Sequence, residues 1–212
     1  MSLEFNELIE RLRERLQEPL PGAIAHEPLR AEPLGDIRPK FEHKAPPKPG
    51  AVLILLYPDE GIVKFPLTKR PDYVGTHGGQ ISFPGGKGEE NETNEQTAIR
   101  EGEEEIGIRS ANLKVIGKLT QFFVIPSNFM VTPIVAYQKL KTTFTPDPVE
   151  VVRVLEGSLD ELIKDDAVRT KEILVARMYP MRAPHFLIDN EIVWGATAMM
   201  LNEFRMILRE IY

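Results

Sequence analysis

The stretch FPGGKGEENETNEQTAIREGEEEIGI, residues 83–108, opens on a glycine turn and then sets eight glutamates between positions 89 and 105. Thr93 followed three residues later by Gln96 has the spacing of a capping box, and Gly107 the place of a C-terminal stop. Together they predict a helix over 94–106. At about 100° per residue, Ile99, Gly102 and Ile106 fall on one narrow stripe, whereas Glu101, Glu104 and Glu105 spread over an arc of about 100° on a different side. The expected helix is buried along one face and acidic along another, and Arg100 can neutralise only part of that charge.

Glutamates three and four apart repel by about 0.2–0.5 kcal/mol per pair when solvated, and by more where a cleft removes water. Two readings are open. One is a solvated acidic surface helix. The other is a cation site, because carboxylate oxygens are the hard ligands that Mg²⁺ or Mn²⁺ prefers and a helix holds several at fixed spacing.

Outward from this segment, AVLILLY (51–57) is an apolar run of strand length, followed by GIVKFPLTKR and, after a glycine-rich loop, by QISF. Further strands are expected at 113–124, 130–138, 149–155 and 171–180. A hairpin in HFLIDNEIVW should turn at Asp189-Asn190, although the favoured glycine is missing there. A closing helix is expected over 196–211. Strands interspersed with helices point to an α/β domain whose mixed sheet is covered on both faces.

Toward the N-terminus, LEFNELIERLRERL (3–16) places Phe5, Leu8, Ile9, Leu12 and Leu16 at helical spacing. Residues 1–18 are therefore expected to form an amphipathic helix, lying either on its own domain or on a second subunit in a homodimer. Prolines recur through 19–49, which reads as an extended arm over the domain, with a mobile linker as the alternative. The main domain is expected to span 50–212.

With 212 residues, 42% hydrophobic and 27% charged, the chain can bury one sizeable core. A net charge of −6 argues against nucleic acid or anionic membrane as partners, since both require a basic footprint. No cysteine is present, which excludes disulfides and thiolate chemistry and fits a reducing compartment. No apolar run reaches membrane-spanning length and no signal-like core opens the chain, so a cytoplasmic protein is expected.

Gly86, Glu92, Arg100, Glu101, Glu104, Glu105, Gly107 and the aliphatic Ile108 stand at the spacing of a known motif. Residues 86–108 resemble the Nudix box, the loop-helix-loop signature of hydrolases acting on nucleoside diphosphates linked to another moiety. The departure is Gly102, where the family has an aliphatic residue or alanine. A helical glycine costs about 0.5–1 kcal/mol relative to alanine, and it either loosens the helix or permits close packing beneath it. The preceding LTKRPDYVGTHGGQISFPGG (67–86) resembles the corresponding motif of the coenzyme A pyrophosphatase branch, and segments 127–135, 146–151 and 194–198 resemble that branch too.

The resemblance implies a Nudix-type α/β/α sandwich and cleavage of the pyrophosphate of coenzyme A or its derivatives, a small-molecule nucleotide substrate. It implies Mg²⁺ or Mn²⁺ held by Glu101, Glu104 and Glu105, with a carbonyl of the Gly85-Gly86 loop completing the metal shell. Arg100 and Glu92 are expected to pair as a scaffold; the general base is either a glutamate of this helix or one from a later loop, with Glu150 the off-helix candidate, its alternative being an exposed charge at a strand start. Lys69, Arg70 and His77 are candidate phosphate partners, and Phe122, Phe123 and Trp194 line either the pocket or the core. ADP-ribose, dinucleotides and nucleoside triphosphates are the rival substrates. A nucleotide-sensing module without turnover is the rival from another class.

Overall fold

The computed structural model describes residues 4–35, 41–71, 79–141, 143–175 and 178–212. The chain runs through helix α1 (Phe5–Arg15), short helix α2 (Ala23–His26), strands β1 (Glu32–Pro33), β2 (Lys48–Asp59), β3 (Ile62–Lys69), β4 (Ile81–Ser82) and β5 (Gly85–Lys87), and then helix α3 (Asn94–Ile106). Strands β6 (Lys114–Lys118), β7 (Phe122–Val124), β8 (Phe129–Tyr137) and β9 (Arg153–Ser158) follow, then helix α4 (Leu159–Leu162). Strands β10 (Val168–Val175), β11 (Tyr179–Ile188) and β12 (Glu191–Trp194) lead into the closing helix α5 (Gly195–Ile211).

The apolar run at 51–57 is continuous because β2 is covered on both sides. It lies parallel to β8, pairing Lys48 through Leu56 with Phe129 through Tyr137, while β3 and β5 run antiparallel to it. Ala51, Leu53, Leu55 and Tyr57 join a core shared with Ala98, Ile106 and Ile108 at α3. The alternate residues Ile54 and Leu56 join a larger core with α1, α5 and the sheet built on β11. A strand of period two placed between two layers needs apolar residues at both phases, and that requirement produces the unbroken run. The result is an α/β/α sandwich with a mixed sheet.

Both residues of the Asp189-Asn190 turn have positive φ, 52° and 65°, as a two-residue hairpin of this type requires. Asparagine and aspartate tolerate that region, so no glycine is needed. The strand expected over 113–124 is split into β6 and β7, both paired to β8. The strand expected over 149–155 begins only at Arg153, after a turn at 148–150.

Helix α1 packs on its own chain, burying Leu8, Ile9 and Leu12 against α5 and β6. Within residues 19–49, expected to run extended, the chain forms helical turns over 23–29 and is extended at Glu32–Pro33 and from Lys48, with residues 36–40 outside the described residues. Glu203 of α5, wholly buried, accepts hydrogen bonds from Gly22 N–H (3.0 Å) and Thr120 Oγ1 (2.5 Å) and pairs with His26 Nε2 (3.0 Å). The neighbouring Asn202 donates to Ala25 O at 2.7 Å. Burial pushes the Glu203 carboxyl upward, but His26, Thr120 and Gly22 outweigh it and hold the group below its ordinary range.

Glu203→Gln turns one of these acceptors into a donor facing donors. It should lower the unfolding free energy by about 2 kcal/mol, read as a reduced urea midpoint with an unchanged slope.

Candidate active site

Helix α3 starts and stops as its sequence requires. Thr93 Oγ1 accepts from Gln96 N–H (3.2 Å), Gln96 Oε1 accepts from Thr93 N–H (2.9 Å), and Gly107 closes the helix in the left-handed region. The packed face keeps Gly102 and Ile106 of the expected stripe but differs at Ile99. Ala98, Gly102, Glu105 and Ile106 are buried, whereas Ile99 lies half-buried at the edge. The helix is rotated about its axis so that a glutamate, not Ile99, faces the sheet. Gly102 permits this close approach, since a Cβ there would lie 2.6 Å from Ile108 Cδ1 and 2.9 Å from Leu53 Cδ2.

Glu105 is 2% exposed. Its Oε1 accepts from Arg70 Nη2 at 2.9 Å and its Oε2 from Gly85 N–H at 3.2 Å. Burial, reinforced by the charges of Glu101 and Glu150 and only partly offset by Arg70 and Gly85, pushes its carboxyl up to about 7. Glu101 lies one turn earlier on the same side, and its carboxyl is likewise raised, chiefly by burial.

The two glycines before the helix make room for these acids. A Cβ on Gly85 would lie 2.6 Å from Val52 Cα, so another residue would force β5 away from β2. A Cβ on Gly86 would come within 2.6 Å of the Glu101 carboxylate. Strand β5 thus reaches both β2 and the acidic helix because it has no side chains at these positions.

Arg100 gathers the other acids. Its Nε donates to Glu92 Oε1 (2.7 Å), its Nη1 to Glu101 Oε1 and Glu104 Oε2 (each 2.9 Å), and its Nη2 to Lys87 O (3.1 Å). Glu92 also accepts from Glu89 N–H and Thr97 Oγ1, both at 2.9 Å. Glu103 turns away from Arg100 to accept from Ser110 N–H at 2.8 Å. Glu104 keeps a 60% exposed side chain.

The end of α3 brings in Glu150. Thr145 N–H and Asp147 N–H donate to the terminal carbonyls of Ile106 and Glu105, each at 3.0 Å, so the segment after β8 caps the helix. The exposed turn that follows carries Glu150, whose charge acts on both Glu101 and Glu105.

The remaining candidates separate. Lys69 and Arg70 project to opposite faces of the sheet: Arg70 meets Glu105, while Lys69 pairs with Glu191 at 2.7 Å. His77 lies outside the described residues. Phe122 sets its ring edge-on to His26, 5.1 Å between centroids, against the larger core, and Trp194 is half-buried at the start of α5. The Arg70–Glu105 pair went unforeseen from the sequence, where an arginine 35 positions away carries no periodic signal.

The α/β/α architecture and the carboxylate-bearing helix after a paired-glycine turn match the fold and the acidic helix expected from the sequence. The NUDIX domain family matches residues 47–184, and the chain belongs to it. It is similar to Nudix hydrolase 15, mitochondrial, of Arabidopsis thaliana, 38% identical over 162 residues covering 73% of this chain and 56% of that protein. Nudix hydrolase 22, chloroplastic, of the same plant is 35% identical over 164 residues, 73% of this chain and 53% of that protein. The chain thus spans little more than half the length of these relatives. A Nudix hydrolase of M. Smegmatis, RenU, shares the fold with a TM-score of 0.56 at 19% identity, over 79% of this chain and 89% of that one.

Arg100, first among its partners, lowers the Glu92 carboxyl from 4.5 to about 2. A depressed folded value stabilises the fold fully above the ordinary value and loses that effect as pH falls through the folded one. The difference in unfolding free energy between the wild-type chain and Glu92→Gln should therefore be constant above about pH 5 and shrink steadily toward pH 2, as read by denaturant titrations across that window.

Proposed function

We propose that this chain is a Mg²⁺- or Mn²⁺-dependent hydrolase that cleaves the pyrophosphate bond of coenzyme A or its derivatives, giving 3′,5′-ADP and a 4′-phosphopantetheine product. One observation carries the reading. The two segments on which the family and branch resemblances rest pack against each other at their functional residues, with Glu101 on Gly86 and Glu105 on Gly85 and Arg70.

Among the described residues no three acidic or histidine side chains converge into a closed metal cage. An open arrangement suits a cation of this kind, because Mg²⁺ keeps several waters and binds through one or two carboxylates plus substrate phosphates. Glu101 and Glu105 form such a pair, and Glu104 extends it on the solvent side. When bound, the ion shields phosphate charge and lowers the pKa of bound water.

The chain's own residues do the rest. Gly85 and Gly86 let phosphate oxygens approach the backbone, and Arg100 fixes the rotamers of Glu101 and Glu104. Glu150, exposed and near enough for its charge to act on Glu101 and Glu105, would accept the proton of the attacking water. An anionic substrate must be received locally, since the whole chain carries a net charge of −6.

Glu101→Gln and Glu105→Gln should each lower kcat on the order of 10² or more with the fold intact by circular dichroism. The assay is incubation with coenzyme A and, separately, ADP-ribose, with Mg²⁺, Mn²⁺ or chelator, with products identified by mass. Metal-dependent 3′,5′-ADP from coenzyme A is the expected result. Cleavage of ADP-ribose alone would keep the carboxylate site and discard the substrate, and nucleotide binding without turnover would replace the enzyme by a sensing module.

A further inference from the structure

We infer that Arg70 is a positioning residue for Glu105 and acts on the metal site through that carboxylate, in place of the phosphate contact its sequence motif suggests. The inference rests on the metal-dependent reading of the site given above.

Arg70 is held at both ends. Its backbone N–H donates to Gln80 O at 3.0 Å, next to the Gly79 N–H to Pro71 O bond at 3.1 Å, so it stands at the neck of the 71–79 connection. Its guanidinium reaches Glu105 Oε1 at 2.9 Å, and the side chain is half-buried. The side chain therefore links the neck of one sequence motif to the last turn of the helix in the other.

A carboxylate offers about four lone-pair sites. Arg70 takes one on Oε1 and Gly85 N–H takes one on Oε2, so each oxygen retains a site for a cation. Arg70 and a metal ion can be bound together, the first setting the rotation of the carboxylate that the second uses. Without Arg70, a carboxylate 2% exposed would face the charges of Glu101 and Glu150 with a single 3.2 Å hydrogen bond to orient it. Outer partners of ligating carboxylates typically contribute 10–100-fold in metal affinity or activity.

The test is Mn²⁺ binding to the full chain without nucleotide, followed by the electron paramagnetic resonance signal of free Mn²⁺, for wild type, Arg70→Gln, Arg70→Lys, Glu105→Gln and the Arg70→Gln/Glu105→Gln double variant. Arg70→Gln should weaken Mn²⁺ binding about 10–100-fold, and Arg70→Lys should recover part of the loss, since lysine keeps the charge without the rigid fork. In the Glu105→Gln background the Arg70 change should add nothing further, the non-additivity expected of residues acting as one unit.

With coenzyme A as substrate, kcat should fall more than KM rises. Unchanged Mn²⁺ affinity in Arg70→Gln, with KM raised in both backgrounds, would overturn the assignment and make Arg70 a phosphate anchor. A wild-type chain that takes up no Mn²⁺ would remove the metal site and this role with it. If Arg70→Gln does not fold, the lysine and double variants carry the same comparison.

Discussion

A carboxylate almost wholly withdrawn from water, Glu105, sits where helix α3, the end of strand β3 and the Gly85-Gly86 turn meet. Burying an unpaired charge is among the most costly things a fold can do, so everything around Glu105 must compensate for it. Arg70 has to arrive from a strand neighbouring the glycine turn, Gly85 has to offer its N–H, and β5 has to approach β2 too closely for any side chain at that position. The order of strands in the large sheet meets these demands together, because β2 pairs with both β3 and β5.

The crowding of eight glutamates is resolved by division. Glu92, Glu101 and Glu104 converge on Arg100, Glu105 on Arg70 and Gly85, and Glu103 on the backbone of Ser110, while Glu89, Glu90 and Glu95 stay in solvent. Arg100 serves three carboxylates because its donors fan out in a fixed plane, a geometry lysine lacks. Like charge on one helix thus becomes a set of separate local pairs. The two acids nearest the sheet, Glu101 and Glu105, remain the least solvated and have raised carboxyl values.

Much of this was legible in the sequence. The capping box at Thr93 and Gln96, the run at 51–57 and the turn at Asp189-Asn190 are local signals, each fixed by residues within a few positions. Features set by contacts distant in the chain were not. Ile99, Gly102 and Ile106 gave a plausible stripe, yet the helix turns toward Ala98 and Glu105 because Gly102 lets it settle onto Leu53 and Ile108. Lys69 and Arg70 read as a pair of cations, and strand alternation sends them to opposite faces. Glu203 was invisible for a similar reason: the partners that bury it lie 83 to 181 positions away.

The placement of Glu150 joins stability to the proposed chemistry. A helix ends with carbonyls that lack partners within the helix, and here Thr145 and Asp147 supply the missing donors from the segment that follows β8. That segment then turns at 148–150 before entering β9, so satisfying the end of α3 also fixes where the next acidic side chain stands. An off-helix glutamate whose backbone is fixed in this way needs no contact of its own to stay near Glu101 and Glu105, and its side chain remains exposed. The same capping contacts that complete the helix therefore bring an exposed glutamate close to the buried Glu105 and the partly buried Glu101, the arrangement that the proposed proton acceptor calls for.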